Sequence, residues 1–131
     1  MNKLNILFVC SLNKYRSRTA ETIFRNQQQY NIRSAGTDDG ARKKLTKGDV
    51  GWADYIFVME KSHRNKILKK YREESIGKRI ICLHIPDEYE YMDPRLVADL
   101  KGKLSPWLEI PEESQKEPYC DSADTSPQPV S

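Results

Sequence analysis

A thiol at Cys10, a guanidinium at Arg16 and a hydroxyl at Ser17 crowd one short stretch, Val9-Cys10-Ser11-Leu12-Asn13-Lys14-Tyr15-Arg16-Ser17. These side chains suit chemistry on a phosphate or another tetrahedral oxyanion. A free cysteine has a pKa of about 8.5, and its thiolate is the nucleophile. A helix N-terminus and a nearby cation both favour that thiolate. Arginine can hold two phosphate oxygens through its planar fork, which lysine cannot do. The Ser17 hydroxyl can donate to the sulfur or cap a helix. The amides of Ser11, Leu12, Asn13, Lys14 and Tyr15 can form an anion nest and stabilise charge that develops on the equatorial oxygens. Asn13 suits such a loop because asparagine tolerates left-handed backbone angles. Spacing alone does not separate this reading from a bland one, since a lone cysteine closing a buried strand is commonly an inert small hydrophobe. The flanking elements decide.

Before the thiol, Ile6-Leu7-Phe8-Val9 is a continuous apolar run, too short for a helix. Such a run predicts a strand at about 4–9, parallel and covered on both faces. After the loop, Ala20, Ile23 and Phe24 recur at helical spacing and predict a helix over about 17–29. The helix N-terminus leaves unpaired amides and partial positive charge beside the loop. Strand two is expected at about 31–36, followed by a polar loop over 37–45. Thr46 caps a short helical turn through Ala53, and strand three runs Tyr55 to Met59. A helix capped by Ser62 runs to about Glu73, with Ile67, Leu68 and Tyr71 inward. Gly77 breaks the chain before strand four at Arg79 to Leu83. Residues 84–93 form a loop. Asp93-Pro94 opens a last helix with Leu96, Val97, Leu100 and Leu104 on one face, and Pro106 ends or bends it. Strands alternating with helices imply a parallel sheet wound on both faces, with sites beyond the C-terminal strand ends.

At 131 residues the chain is expected to form one domain over 1–110. Residues 111–131, with four prolines and a net charge of −4, read as a disordered acidic tail in which Cys120 is an incidental thiol. The net charge of +3 therefore leaves +7 on the first 110 residues, which fits an anionic substrate. A basic body also attracts nucleic acid, but no aromatic-interleaved basic stripe accompanies it and no specific nucleic-acid partner is expected. No membrane span or signal peptide is visible, so the expectation is a cytoplasmic protein. Three dispersed cysteines and two histidines, His63 and His84, lack metal-ligand spacing.

The run from Val9 to Ser17 resembles the phosphate loop of the low-molecular-weight protein tyrosine phosphatases. Three further segments resemble that family in the same order. Ser34-Ala35-Gly36-Thr37 is similar to the end of its second strand. Ala53-Asp54-Tyr55-Ile56-Phe57-Val58-Met59-Glu60 is similar to its third strand and the acidic turn that follows. Ile85-Pro86-Asp87-Glu88-Tyr89 is similar to the loop bearing its general acid. Together they span about residues 3 to 108. The resemblance implies a four-stranded parallel sheet in the order 2-1-3-4, a soluble phosphatase without metal or other cofactor, and phosphorylated protein or a small phosphomonoester as substrate. It implies Cys10 as nucleophile, Arg16 as phosphate anchor and Asp87 as acid. Ser11, Leu12, Asn13, Lys14, Tyr15 and Ser17 line or support the substrate, Tyr89 forms an aromatic wall, and Ser34 and Glu60 are supporting residues.

Asp93 competes with Asp87 for the acid role, but helix capping accounts for Asp93. The chain also departs from the family. Leu12 stands where glycine is frequent, and Tyr15 where many members have a second cysteine. Glu60 replaces an aspartate and either orients Arg16 or starts a helix. Asp87-Glu88 replaces Asp-Pro, and the loop between Thr37 and Ala41 is shorter by about one helix. Two other readings stay open: a thiol-dependent arsenate reductase, which needs a relay through Cys82 or Cys120, and a phosphate-binding module without catalysis.

Overall fold

The computed structural model describes residues 3–111, so the expected tail, Cys120 included, lies outside the described residues apart from Pro111. Eight elements alternate: β1 (Leu4–Cys10), α1 (Arg16–Phe24), β2 (Tyr30–Gly36), α2 (Lys47–Trp52), β3 (Tyr55–Val58), α3 (Lys61–Lys70), β4 (Arg79–Cys82) and α4 (Pro94–Leu104). The strands form one parallel sheet in the order β2-β1-β3-β4.

The strand period of two divides the core into two layers. Ile6, Phe8 and Cys10 face one side, with Ala20 and Phe24 of α1 and Leu96, Leu100 and Leu104 of α4. Leu7 and Val9 face the other, with Val50 of α2, Ile56 and Val58 of β3 and Ile67 of α3. Phe8 centres the first layer, its ring 5.8 Å from Phe24 and 5.7 Å from Phe57. Cys10 thus ends the most deeply buried strand and is itself 2% exposed.

Caps set the helix boundaries. Thr46 accepts from the Asp49 amide and Asp49 returns the bond to the Thr46 amide, a reciprocal cap that starts α2. Asp93 accepts from the Arg95 amide ahead of α4, with Pro94 in the first turn. Helix α3 is capped by Glu60 rather than Ser62, because the His63 ring accepts the Glu60 amide. Helix α1 stops at Phe24, five residues short of the expected end. Residues 25–29 are Arg-Asn-Gln-Gln-Gln, with no apolar side chain to hold a further turn on the sheet. Tyr30 instead enters β2 opposite Leu4.

Beyond β4 the chain keeps close to β3. The amides of Leu83 and Ile85 donate to Val58 and Met59. Ile85 is fully buried and anchors the start of the loop that carries Asp87.

Candidate active site

The loop after β1 is shaped by the segment after β2. The Thr37, Asp38 and Arg42 amides donate to the carbonyls of Cys10, Ser11 and Leu12 at 2.9 Å each. In a planar trans peptide the N–H points opposite to the C=O. Turning these carbonyls outward therefore turns the amides of Ser11, Leu12 and Asn13 inward. The Asn13 amide reaches the Cys10 sulfur at 3.2 Å. Asn13 adopts φ 57°, the left-handed angle its residue type tolerates.

Gly36 permits this close approach. A Cβ there would lie 2.6 Å from the Ser11 carbonyl oxygen and 2.6 Å from the Ala41 Cβ. Any side chain at position 36 would push the two segments apart and turn the inward amides away.

Buried polar contacts surround the sulfur. The Ser17 hydroxyl lies 3.0 Å from Cys10 Sγ, and the Asn13 side-chain amide donates to Ser17 Oγ at 2.6 Å. Helix α1 begins at Arg16, so its N-terminal end adjoins the loop. Arg16 is 3% exposed. Its Nη1 donates to Glu60 at 2.5 Å and to the Ile85 carbonyl at 2.9 Å. That leaves the Nε–Nη2 edge, the fork suited to two oxygens of one phosphate. Glu60 therefore both holds Arg16 and caps α3. The guanidinium keeps its carboxyl below the usual glutamate range.

A cavity of about 50 Å³ opens over the sulfur, lined by Cys10, Ser11, Leu12, Lys14, Tyr15, Arg16 and Asp87. Asp87 stands at the rim, 64% exposed, with Oδ1 3.8 Å from Arg16 Nε. Leu12, Lys14 and Tyr15 are exposed around the mouth. Asn13 and Ser17 lie beneath the loop and touch Cys10 rather than the cavity. Tyr89 does not line this cavity. Its ring packs against the core under Arg95, 5.4 Å away, and Tyr15 supplies the aromatic side chain at the mouth instead. Ser34 is buried and donates to Glu21, away from the sulfur.

Two residues of the site had no assigned role in the sequence. Arg42 donates from Nε to the Asn13 carbonyl at 3.0 Å and from Nη2 to Asn13 Oδ1 at 2.9 Å. His63 is fully buried, its Nε2 2.9 Å from Ser11 Oγ and its Nδ1 accepting the Glu60 amide. Because Nδ1 accepts, Nε2 carries the proton and donates to Ser11. A His three residues after the acidic turn of strand three was the only available hint, and histidine has no strong capping signature.

Burial and the Arg16 charge lower the His63 pKa from 6.5 to about 4. Between those values the unfolded chain binds a proton that the folded chain refuses. Stability is therefore full above pH 6.5 and falls as pH drops toward 4, by about 3 kcal/mol in total. The carboxylates held low by cations lose their own contribution only as pH falls through about 4.5 for Glu60 and 3.8 for Asp38 and Asp93, at the foot of this window or below it. Urea unfolding in a His84→Gln background should show this loss between pH 7 and pH 4.5. Adding His63→Gln should flatten the curve across that window, and an unchanged slope would assign the effect elsewhere.

Comparison with known proteins finds no matching family model and no matching curated protein sequence. Solved structures do match. The tyrosine phosphatase Wzb from Escherichia coli K30, in complex with phosphate, superposes with a TM-score of 0.64 at 25% identity, over 79% of this chain and 94% of that one. A low-molecular-weight phosphotyrosine phosphatase from Vibrio cholerae O395 gives 0.59 at 22% identity, over 78% and 92%. The YwlE arginine phosphatase from Geobacillus stearothermophilus gives 0.55 at 19% identity, over 89% and 99%.

Proposed function

We propose that this chain, which has the fold of the low-molecular-weight protein tyrosine phosphatases, hydrolyses phosphomonoesters through a phosphocysteine, with protein phosphotyrosine as the favoured substrate. The observation that carries this reading is a buried sulfur beneath inward amides, with the Nε–Nη2 edge of Arg16 and the Asp87 carboxyl at the same small cavity. The Cys10 sulfur attacks phosphorus while Arg16 and the amides hold the other oxygens. The bond to the leaving oxygen breaks, and Asp87 gives that oxygen its proton. Asp87 then takes a proton from water, the water oxygen bonds to phosphorus, and the sulfur leaves as thiolate. A cytoplasmic setting, where thiols stay reduced, suits the free Cys10.

The mouth favours an aryl ester over a phosphoguanidinium. Leu12 and Tyr15 offer apolar surface to a ring. Lys14 places a cation where a phosphoarginine would bring a second one. An arsenate relay finds little support. Cys82 packs on the face of the sheet opposite Cys10, two strands away, with its sulfur 3.6 Å from His84 Nδ1.

Turnover of p-nitrophenyl phosphate across pH 5 to 8 tests the enzyme. Wild type should turn over and Cys10→Ser should fall to background; an inactive wild type sinks the reading. Cys10→Ser that binds phosphotyrosine peptide beside such a wild type would instead indicate a binding module. Phosphotyrosine peptide should be hydrolysed faster than phosphoarginine peptide, and Lys14→Ala should narrow the gap. Faster phosphoarginine turnover would refute the substrate class. Thiol-dependent arsenate reduction lost in Cys82→Ala would favour the reductase.

A further inference from the structure

The chain of contacts under Cys10 does not end at Ser17. Asn13 passes a proton donor to Ser17 through Nδ2, while Arg42 grips the same side chain by Oδ1 and the same residue by its carbonyl. Arg42 is anchored in turn. Its backbone amide donates to Leu12, and its Nη2 lies 4.0 Å from Glu21, which accepts from buried Ser34. The contacts thus run from β2 through α1 and the short 37–45 loop to the sulfur.

A carboxamide can face either way. Turned over, Asn13 would present its oxygen to Ser17, and the hydroxyl proton would go to Asn13 instead of Cys10. A guanidinium has only donors, so it accepts one orientation alone, with Oδ1 toward Arg42. Ser17 then receives an N–H and must place its own proton elsewhere. The Cys10 sulfur at 3.0 Å is nearer than the Ala35 carbonyl at 3.5 Å.

We propose that Arg42 is a positioning residue for the nucleophile: by fixing the polarity of the Asn13 side chain, it aims the Ser17 hydroxyl proton at the Cys10 sulfur and favours the thiolate. The proposal rests on Cys10 being the reactive thiol, but not on phosphatase turnover.

Iodoacetamide alkylation of Cys10 at pH 6 reads the thiolate directly. It is measured in the full chain with Cys82→Ser and Cys120→Ser, so that one thiol reacts. Arg42→Met keeps an apolar stem and removes every donor. A hydrogen bond to a charged group is worth roughly a tenfold effect or more, so alkylation should slow about tenfold in Arg42→Met. Arg42→Lys, which can restore only one of the two contacts, should fall between. In an Asn13→Ala background Arg42→Met should change nothing further, because the path runs through Asn13. Thermal unfolding of each variant separates a general loss of fold from this effect. Wild-type alkylation by a folded Arg42→Met protein would overturn the proposal, as would an undiminished tenfold loss in the Asn13→Ala background. Slowed alkylation beside a wild type that hydrolyses no phosphoester would uphold the role of Arg42 while removing the phosphatase reading.

Discussion

Arg16→Lys lowers kcat/KM for p-nitrophenyl phosphate by about 10²–10³-fold, the usual loss when one preorganised donor to a developing charge disappears. The expectation follows from how the guanidinium is divided. Nη1 is committed to Glu60 and the Ile85 carbonyl, both on elements other than α1. These contacts lock the plane, so that Nε and Nη2 would meet a bound phosphate as a rigid pair. A lysine ammonium keeps the charge but has one nitrogen and no plane. It can satisfy Glu60 or the phosphate, but not both in fixed geometry. Inhibition by inorganic phosphate should weaken alongside kcat/KM, because the same edge binds product. Glu60→Gln should be milder, since an amide oxygen still accepts from Nη1 without the charge. A lysine variant within tenfold of wild type would mean that the amides alone hold the phosphate.

The path from sequence to this site was legible where information is local. A continuous apolar run, a thiol, a polar loop and a helical repeat lie side by side, and they are β1, Cys10, the loop and α1. The strand order and the placing of sites at one sheet edge followed from alternation and family resemblance. Helix ends were read less well. The end of α1 depends on Tyr30 pairing with Leu4, and the start of α3 on a histidine cap. Tyr89 illustrates a different gap: a loop residue two positions after the acid can face the cavity or the core, and no periodicity distinguishes them. Arg42 and His63 were invisible for a stronger reason. They meet Asn13 and Ser11 across 29 and 52 residues of chain. Such contacts exist only once β2 and β3 flank β1, and neither residue type announces them. The resemblance makes the loop between Thr37 and Ala41 shorter by about one helix, with nothing to suggest a contact with the loop after β1. In the structure the 37–45 segment returns a backbone amide and a guanidinium to the phosphate loop.

Asp87→Asn should slow hydrolysis of phenyl phosphate by about 10²–10⁴-fold while affecting p-nitrophenyl phosphate much less. A basic phenolate needs a proton as its bond to phosphorus breaks; the more acidic nitrophenolate departs without one. Asp87 stands at the cavity rim, between two anchors, buried Ile85 and the packed ring of Tyr89. It is exposed, so water can recharge it between turnovers. Asp93 offers the contrast. Its carboxylate accepts from the Arg95 amide and from the Arg95 guanidinium, and these bonds hold its pKa below the ordinary aspartate range. Asp93 is thus engaged in the cap of α4 and does not line the cavity over Cys10. Asp93→Ala should lower the melting temperature by uncapping α4 and leave the leaving-group dependence as in wild type. The comparison is decisive in its pattern rather than its size. Equal slowing of both esters by Asp87→Asn would indicate damage to phosphate binding through Arg16, 3.8 Å away. Selective slowing of the basic leaving group identifies the proton donor, and only Asp87 should show it.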